Sequence, residues 1–338
     1  LSGAQLLVRA LSDPASTRTL HAPGWTALLT MARAESLIGS LAYRLEAEKL
    51  PAGVGAILAD ARRAAQHAQL QSLWEAEMAR RALASIDAPF ILLKGTAYAA
   101  AGLDAARGRA IGDLDILVPR EAIAEVEQAL IAAGWEWVKE DAYDDLYYRR
   151  WMHELPPLIH RARDRMIDVH HTILPPTARP TPDAAALIAD SVALADGLRV
   201  LSPADMVVHS AAHLFADGDL AGGLRNLWDI DRLVRQFAQE DGFWPALEDR
   251  GRHHGLLPAV ARALRLAPTL YATPVEVGLA GPQQATDGLF RRRLLARDGW
   301  GRARDPALRL GFYVRSHWLR MPSAMLARHL WIKARKRR

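Results

Sequence analysis

The apolar positions of the first 86 residues recur at helical spacing: Leu6, Leu7, Ala10 and Leu11, then Leu28, Leu29 and Ala32, then Leu37, Leu41 and Leu45. Pro14, Pro23 and Pro51 separate these runs, because proline lacks the N–H that would continue a helix. From Ala52 to Ser85 the chain is rich in Ala, Gln, Leu and Arg without an internal proline, which predicts one long helix. After Asp87-Ala88-Pro89 the period changes. Phe90-Ile91-Leu92-Leu93 is a short apolar run stopped by Lys94-Gly95, as suits a buried strand leading into a tight turn. Thr96 to Ala106 reads as a helix, Leu114 to Val118 as the next strand, and Glu121 to Ala133 as an amphipathic helix closed by Gly134. Trp135 to Val138, Leu146 to Arg150, Glu154 to His160 and Met166 to Ile173 are strand candidates of mixed polarity, expected to pair antiparallel. Pro175, Pro176, Pro180 and Pro182 then form a connector, and from Pro203 onward the pattern is helical again. This order predicts an α+β protein with a mixed-sheet core flanked by helical domains. The expected divisions are a helical region over 1–86, the core over 87–175, a Pro-rich connector with a short helix over 176–202, and a helical domain with a basic tail over 203–338.

Composition narrows the chemistry. Half of the 338 residues are hydrophobic and 24% are charged, an ordinary globular balance far from that of a disordered chain. Cysteine is absent, which excludes disulfides, thiolate nucleophiles, iron–sulfur clusters and zinc sites built on sulfur. No window holds 18 uninterrupted apolar residues, and the first twenty carry Arg9, Asp13 and Arg18 with no basic-then-apolar leader pattern. The expectation is a cytoplasmic protein without a membrane span. The net charge of +5 is uneven: residues 291–338 hold fifteen Lys and Arg against Asp298 and Asp305, a net +13, so the first 290 sum to −8. Such a block is either a solvated face or an attractor for nucleic acid, anionic lipid or an acidic partner. Within it, Leu310 to Trp331 has an amphipathic pattern interrupted near Pro322, whereas Lys333 to Arg338 has none.

The sharpest chemical feature is Gly112-Asp113-Leu114-Asp115-Ile116-Leu117-Val118. Residues two apart in a strand project to one face, so Asp113 and Asp115 present paired carboxylates while Leu114, Ile116 and Val118 face the core. The pair is either a solvated strand edge or a seat for a hard divalent cation, Mg²⁺ or Mn²⁺. Eighteen residues upstream, Gly95 permits close backbone approach to a phosphate, Thr96 offers a hydroxyl, and a helix start favours anions. The spacing of the phosphate loop of the NTPases is absent. His209 and His213 lie four apart on a helical stretch, but Ser210 stands where a hydrolytic zinc motif needs Glu, so helix packing or a place in the site wall is expected. The ten Trp residues are expected to pack.

A strand, a glycine turn with Gly95-Thr96, a helix and then Asp113-x-Asp115 resemble the DNA polymerase β-like nucleotidyltransferase superfamily. Leu93-Lys94-Gly95, Arg109, Asp113 to Val118, Gly134-Trp135, His153-Glu154-Leu155-Pro156 and Ile167-Asp168-Val169-His170 are similar to the uncharacterised bacterial nucleotidyltransferase family NTP_transf_5. The likeness extends over most of the chain, with His209, His213, Arg225 and Asp229 as less diagnostic positions of its C-terminal half. It implies transfer of an NMP from ATP or another NTP to a small-molecule or protein acceptor, with release of pyrophosphate. It also implies a third acidic residue from a neighbouring strand. Asp168 is the expected one, flanked by apolar residues in a core-like strand, with Glu154 as the alternative. Two metal ions about 3.5–4 Å apart would then be held by Asp113, Asp115 and Asp168, with Asp168 also placed to take the acceptor proton. Lys94 and Arg109 would either neutralise the triphosphate or form surface salt bridges. His170 shares strand parity with Asp168, and with His153 and Glu154 it is a candidate for the acceptor side of the cleft. Two other functions stay open: a toxin-like or tRNA-directed transferase that uses the basic tail, and an inactive nucleotidyltransferase-fold binding protein, which the intact aspartate pair disfavours.

Overall fold

The computed structural model describes residues 2–139, 148–149, 151–323, 325–327 and 331. Among these, the strands are β1 (Ile91–Leu92), β2 (Leu114–Leu117), β3 (Trp135–Trp137), β4 (Leu158–His160), β5 (Arg165–His170), β6 (Val192–Ala193) and β7 (Arg199–Val200). They form one mixed sheet in the order β3-β4-β5-β2-β1-β7-β6. β2 runs parallel to β5 and β1 parallel to β7, while all other neighbours are antiparallel. Every residue of β2 is buried, so its apolar side chains have covered neighbours on both faces and its position in the sheet is central. The meander β3-β4-β5 pairs antiparallel, as the mixed polarity of these segments predicts.

Several boundaries differ from the sequence pattern for physical reasons. The expected strand over Glu154 to His160 shortens to Leu158–His160 because Pro156 and Pro157 offer no N–H to a ladder; Glu154 keeps only an isolated bridge to His170. The expected helix over Thr96 to Ala106 splits into Lys94–Ala100 and a 3₁₀ turn over Asp104–Ala106, separated by Gly102 at φ +64°. Of the strand expected over Leu146 to Arg150, Tyr148 and Arg149 are helical, and Leu146, Tyr147 and Arg150 lie outside the described residues. β6 and β7 arise within the proline-rich connector, and β7 extends the sheet beside β1. Two residues each are too few to show a period in the sequence.

Helices surround this sheet. The long helix is Ala52–Ala82, 31 residues that pack against β2 and the Lys94–Ala100 helix. In the C-terminal part, Pro203–Ala212 starts at Ser202, whose hydroxyl accepts from Asp205 N. Gly223–Phe237 buries Leu224, Leu227, Trp228, Ile230, Leu233, Val234 and Phe237 over more than half of its circumference. Gly3–Ser12 packs against Leu257–Tyr271, so the two helical regions meet directly. One cluster of buried apolar side chains runs from Ala4 to Phe312. Among the described residues, no helix is long and apolar enough to cross a membrane. The helix Pro306–Arg320 ends at Met321, and the basic segment Lys333 to Arg338 lies outside the described residues.

Candidate active site

Parallel pairing of β2 with β5 sets Asp115 beside Asp168 and Leu117 beside His170. Asp113 stands just before β2, two residues from Asp115. One carboxylate oxygen from each of Asp113, Asp115 and Asp168 lies within 4.8 Å of the other two. Asp113 is exposed, Asp168 half-buried and Asp115 buried. Asp168 Oδ1 is buried without a hydrogen-bond partner among the described residues. Burial, then the charges of Asp115 and Glu154, push the Asp168 carboxyl up to about 7. An orphaned buried oxygen among converging hard oxygen donors fits a divalent cation such as Mg²⁺ or Mn²⁺.

The opposite holds at Asp115. Burial works to raise its pKa, but Lys94 and His170 outweigh burial and hold the carboxyl below its usual range. Lys94 Nζ is 2.6 Å from Asp115 Oδ1, and its backbone adopts φ +49°, a strained left-handed conformation for a residue with a Cβ. Burial would strip the Lys94 proton; Asp115, with Asp113 and Glu154 beyond, more than offsets it and raises the pKa. His170 donates from Nε2 to Asp115 Oδ1 at 3.0 Å, and its Nδ1 lies 3.3 Å from Glu154 Oε2. The segment carrying Glu154 is fixed to β5 by His171 N to His153 O and Leu155 N to Val169 O, each 2.9 Å. Burial raises the Glu154 pKa and lowers that of His153, the latter helped by the neighbouring His170.

This arrangement of carboxylates on adjacent parallel strands lies inside a region, residues 21–272, that matches the family model described as an uncharacterised nucleotidyltransferase, NTP_transf_5. The chain belongs to this nucleotidyltransferase family. No curated protein matches the sequence. The matched region contains the whole described sheet and the helices from Ala22–Ala34 through Leu257–Tyr271.

The structure brings together the aspartates, Lys94, His153, Glu154 and His170, and gives Gly95 and Arg109 an unforeseen relation. A Cβ on Gly95 would stand 1.7 Å from Arg109 Nη1, so a larger residue there must displace the guanidinium packed over its backbone. Arg109 is buried, donates from Nε to Asp229 Oδ2 at 3.1 Å, and lies 5.5 Å from the centre of the Tyr98 ring. Its ion pair is therefore interior and not on the surface. Thr96 is buried beneath the same turn, its hydroxyl unpartnered among the described residues. His209, His213, Arg225 and Asp229 line one narrow cleft with Lys94 and Arg109; its free space of about 30 Å³ admits one or two water-sized groups. Burial, then Lys94, keeps His209 well below the usual imidazole range. His213 begins a π-helical turn ending at Asp217, a distortion frequent at functional sites. Sequence reasoning missed Tyr98 and Ser210, joined by a 2.7 Å hydrogen bond across this cleft. Neither belongs to a motif, and only the packing of two distant helices unites them.

Proposed function

We propose that this nucleotidyltransferase is metal-dependent, that its core is of the polymerase β-like kind, and that it moves an NMP from an NTP to an oxygen of a small-molecule or protein acceptor. The observation that carries this is the convergence of Asp113, Asp115 and Asp168 within 4.8 Å, supported by membership of a nucleotidyltransferase family over residues 21–272. The chain order of strand, helix opening on Lys94-Gly95-Thr96, Asp-x-Asp strand and neighbouring acidic strand supports the polymerase β-like core.

Asp113, Asp115 and Asp168 hold Mg²⁺ or Mn²⁺, which as a pair of ions supplies charge neutralisation at the α-phosphate and activation of the acceptor oxygen. The acceptor oxygen bonds to the α-phosphorus as the bond to the pyrophosphate oxygen breaks, and pyrophosphate leaves. Asp168, on the strand beside Asp115, receives the acceptor proton. His170 orients Asp115, and Glu154 and His153 line the acceptor side. Lys94, turned from Asp115 toward the triphosphate, neutralises its oxygens, while the Gly95-Thr96 turn positions Lys94 and lets Arg109 approach.

The test is incubation of the protein with Mg²⁺, the four α-labelled NTPs and cell extract. Wild type is expected to transfer label and release pyrophosphate, and folded Asp113→Asn to lose at least about 100-fold of that rate, as removal of a transition-state charge partner does. Undiminished transfer by Asp113→Asn overturns the assignment.

A further inference from the structure

Next to the aspartates stands a second group of three side chains, His153, Glu154 and His170, whose ligand atoms all lie within 4.8 Å of one another. Its donors differ in kind from those of the first. Carboxylate oxygens alone suit Mg²⁺, Ca²⁺ or Mn²⁺, whereas imidazoles select the later transition metals. We propose that His153, Glu154 and His170 form a separate site for one imidazole-preferring divalent ion, of which Zn²⁺ is the representative, and that the bound ion orients Asp115 through His170. This goes beyond the transfer reaction proposed above and does not depend on it.

Geometry carries the inference first. His170 Nδ1 is 3.3 Å and His153 Nε2 is 3.9 Å from Glu154 Oε2, and the two imidazole centroids are 5.2 Å apart with 28° between their planes. Bonds of about 2.0–2.1 Å at tetrahedral angles place ligand atoms about 3.4 Å apart and two imidazole centroids about 5 Å apart. The His170–Glu154 arm meets that spacing, and the His153–Glu154 arm lies about half an ångström beyond it.

Hydrogen bonding supplies an independent argument. The Asp115 carboxylate accepts from His170 Nε2, which leaves Nδ1 as the ring nitrogen facing Glu154 Oε2 at 3.3 Å. A cation seated there engages His153, Glu154 and His170 together. His153 is only 9% exposed and turns Nε2 toward Glu154 Oε2 at 3.9 Å. The backbone ties between this segment and β5 hold the three donors on one rigid frame. Asp115–His170–metal is then a carboxylate–imidazole–metal relay, which fixes both the tautomer and the ring orientation of the ligand.

The experiment uses untagged full-length protein stripped with a chelator, then dialysed against micromolar Zn²⁺ in millimolar Mg²⁺, with bound zinc counted by elemental analysis. One Zn²⁺ per chain is expected in wild type and in Asp168→Asn, with at least about tenfold weaker retention in Glu154→Gln and His153→Gln. Zinc should raise the unfolding temperature of wild type and leave that of Glu154→Gln unchanged. Glu154→Gln keeps the side-chain shape and carries the test if His153→Gln fails to fold. Displacement of zinc by Mg²⁺, equal retention by folded Glu154→Gln, or loss of zinc in Asp168→Asn overturns the proposal. Asp168→Asn separates the two ideas, since it removes label transfer while sparing zinc.

Discussion

Asp168 is half-buried, lacks a hydrogen-bond partner for one oxygen and faces three other carboxylates, Asp115, Glu154 and Asp113. Its pKa rises from 3.8 to about 7, so the stability it contributes is fully present below the unfolded value of 3.8 and is lost as pH climbs through 7. Metal-free wild type should therefore lose stability between these limits, and Asp168→Asn should not. At pH 8 with chelator, the variant is expected to be more stable by about 1–2 kcal/mol, less than the full shift implies because water screens part of it. Thermal unfolding of both proteins across that pH range checks this, and a falling difference on adding Mg²⁺ to wild type belongs with it. At Gly95 the chain's need for a glycine was legible, but its cause was not. The motif suggested a close phosphate; the structure puts Arg109 Nη1 where a Cβ would be. Gly95→Ala is expected to push Arg109 off Asp229 and destabilise the fold by about 2–4 kcal/mol, as partial loss of a buried ion pair does. Differential scanning calorimetry measures it, with a raised NTP KM in the folded fraction.

At the scale of elements, strand parity alone aligns Asp113 with Asp115 and Asp168 with His170, because side chains two apart share a face. What parity leaves open is which strands are neighbours. Asp168 is separated from Asp115 by two further strands in sequence, yet it is directly paired in the sheet. A second long-range contact positions Arg109. Gly39, in the helix Ile38–Arg44, meets Gly108 so closely that a Cβ on Gly39 would lie 2.3 Å from Gly108 O, and Ser40 Oγ donates to Arg107 O at 3.3 Å. Gly39→Ala is expected to separate these backbones, lower stability by about 1–3 kcal/mol, and reduce transfer through the displaced Arg109 loop. Conversely, Gly53→Ala, where a Cβ meets nothing within 4 Å, should leave both unchanged or gain slightly in helix propensity. Chemical denaturation of the two variants side by side distinguishes a local packing effect from a general intolerance of the N-terminal helices.

Across the whole molecule, charge is segregated: a net +13 over residues 291–338 faces −8 in the rest. The segment Lys333 to Arg338 carries five of those cations. Its removal is expected to leave the metal and NTP affinities intact while weakening any polyanionic acceptor and flattening the salt dependence of its binding, since each cation contacting phosphate adds to that slope. Binding of bulk tRNA at two salt concentrations, with full-length and shortened protein, measures the change; an unaltered slope assigns the tail to solubility alone. The helical regions at the two ends are not independent appendages, because Gly3–Ser12 packs on Leu257–Tyr271 and one apolar core joins them.

The sequence by itself determined the long N-terminal helices, the central strand with its paired aspartates, and the strand that carries Asp168, because periodicity and apolar flanks are local properties of the chain. Membership of the nucleotidyltransferase family was legible from the same motifs. Tertiary structure alone decided that β2 lies beside β5, that Arg109 answers to Asp229 and Gly95, that His209 and His213 wall the cleft, and that His153 and Glu154 meet His170. These relations join residues up to 120 positions apart. They depend on register, close approach and the sharing of buried charge between elements, none of which leaves a periodic trace in the elements taken one at a time.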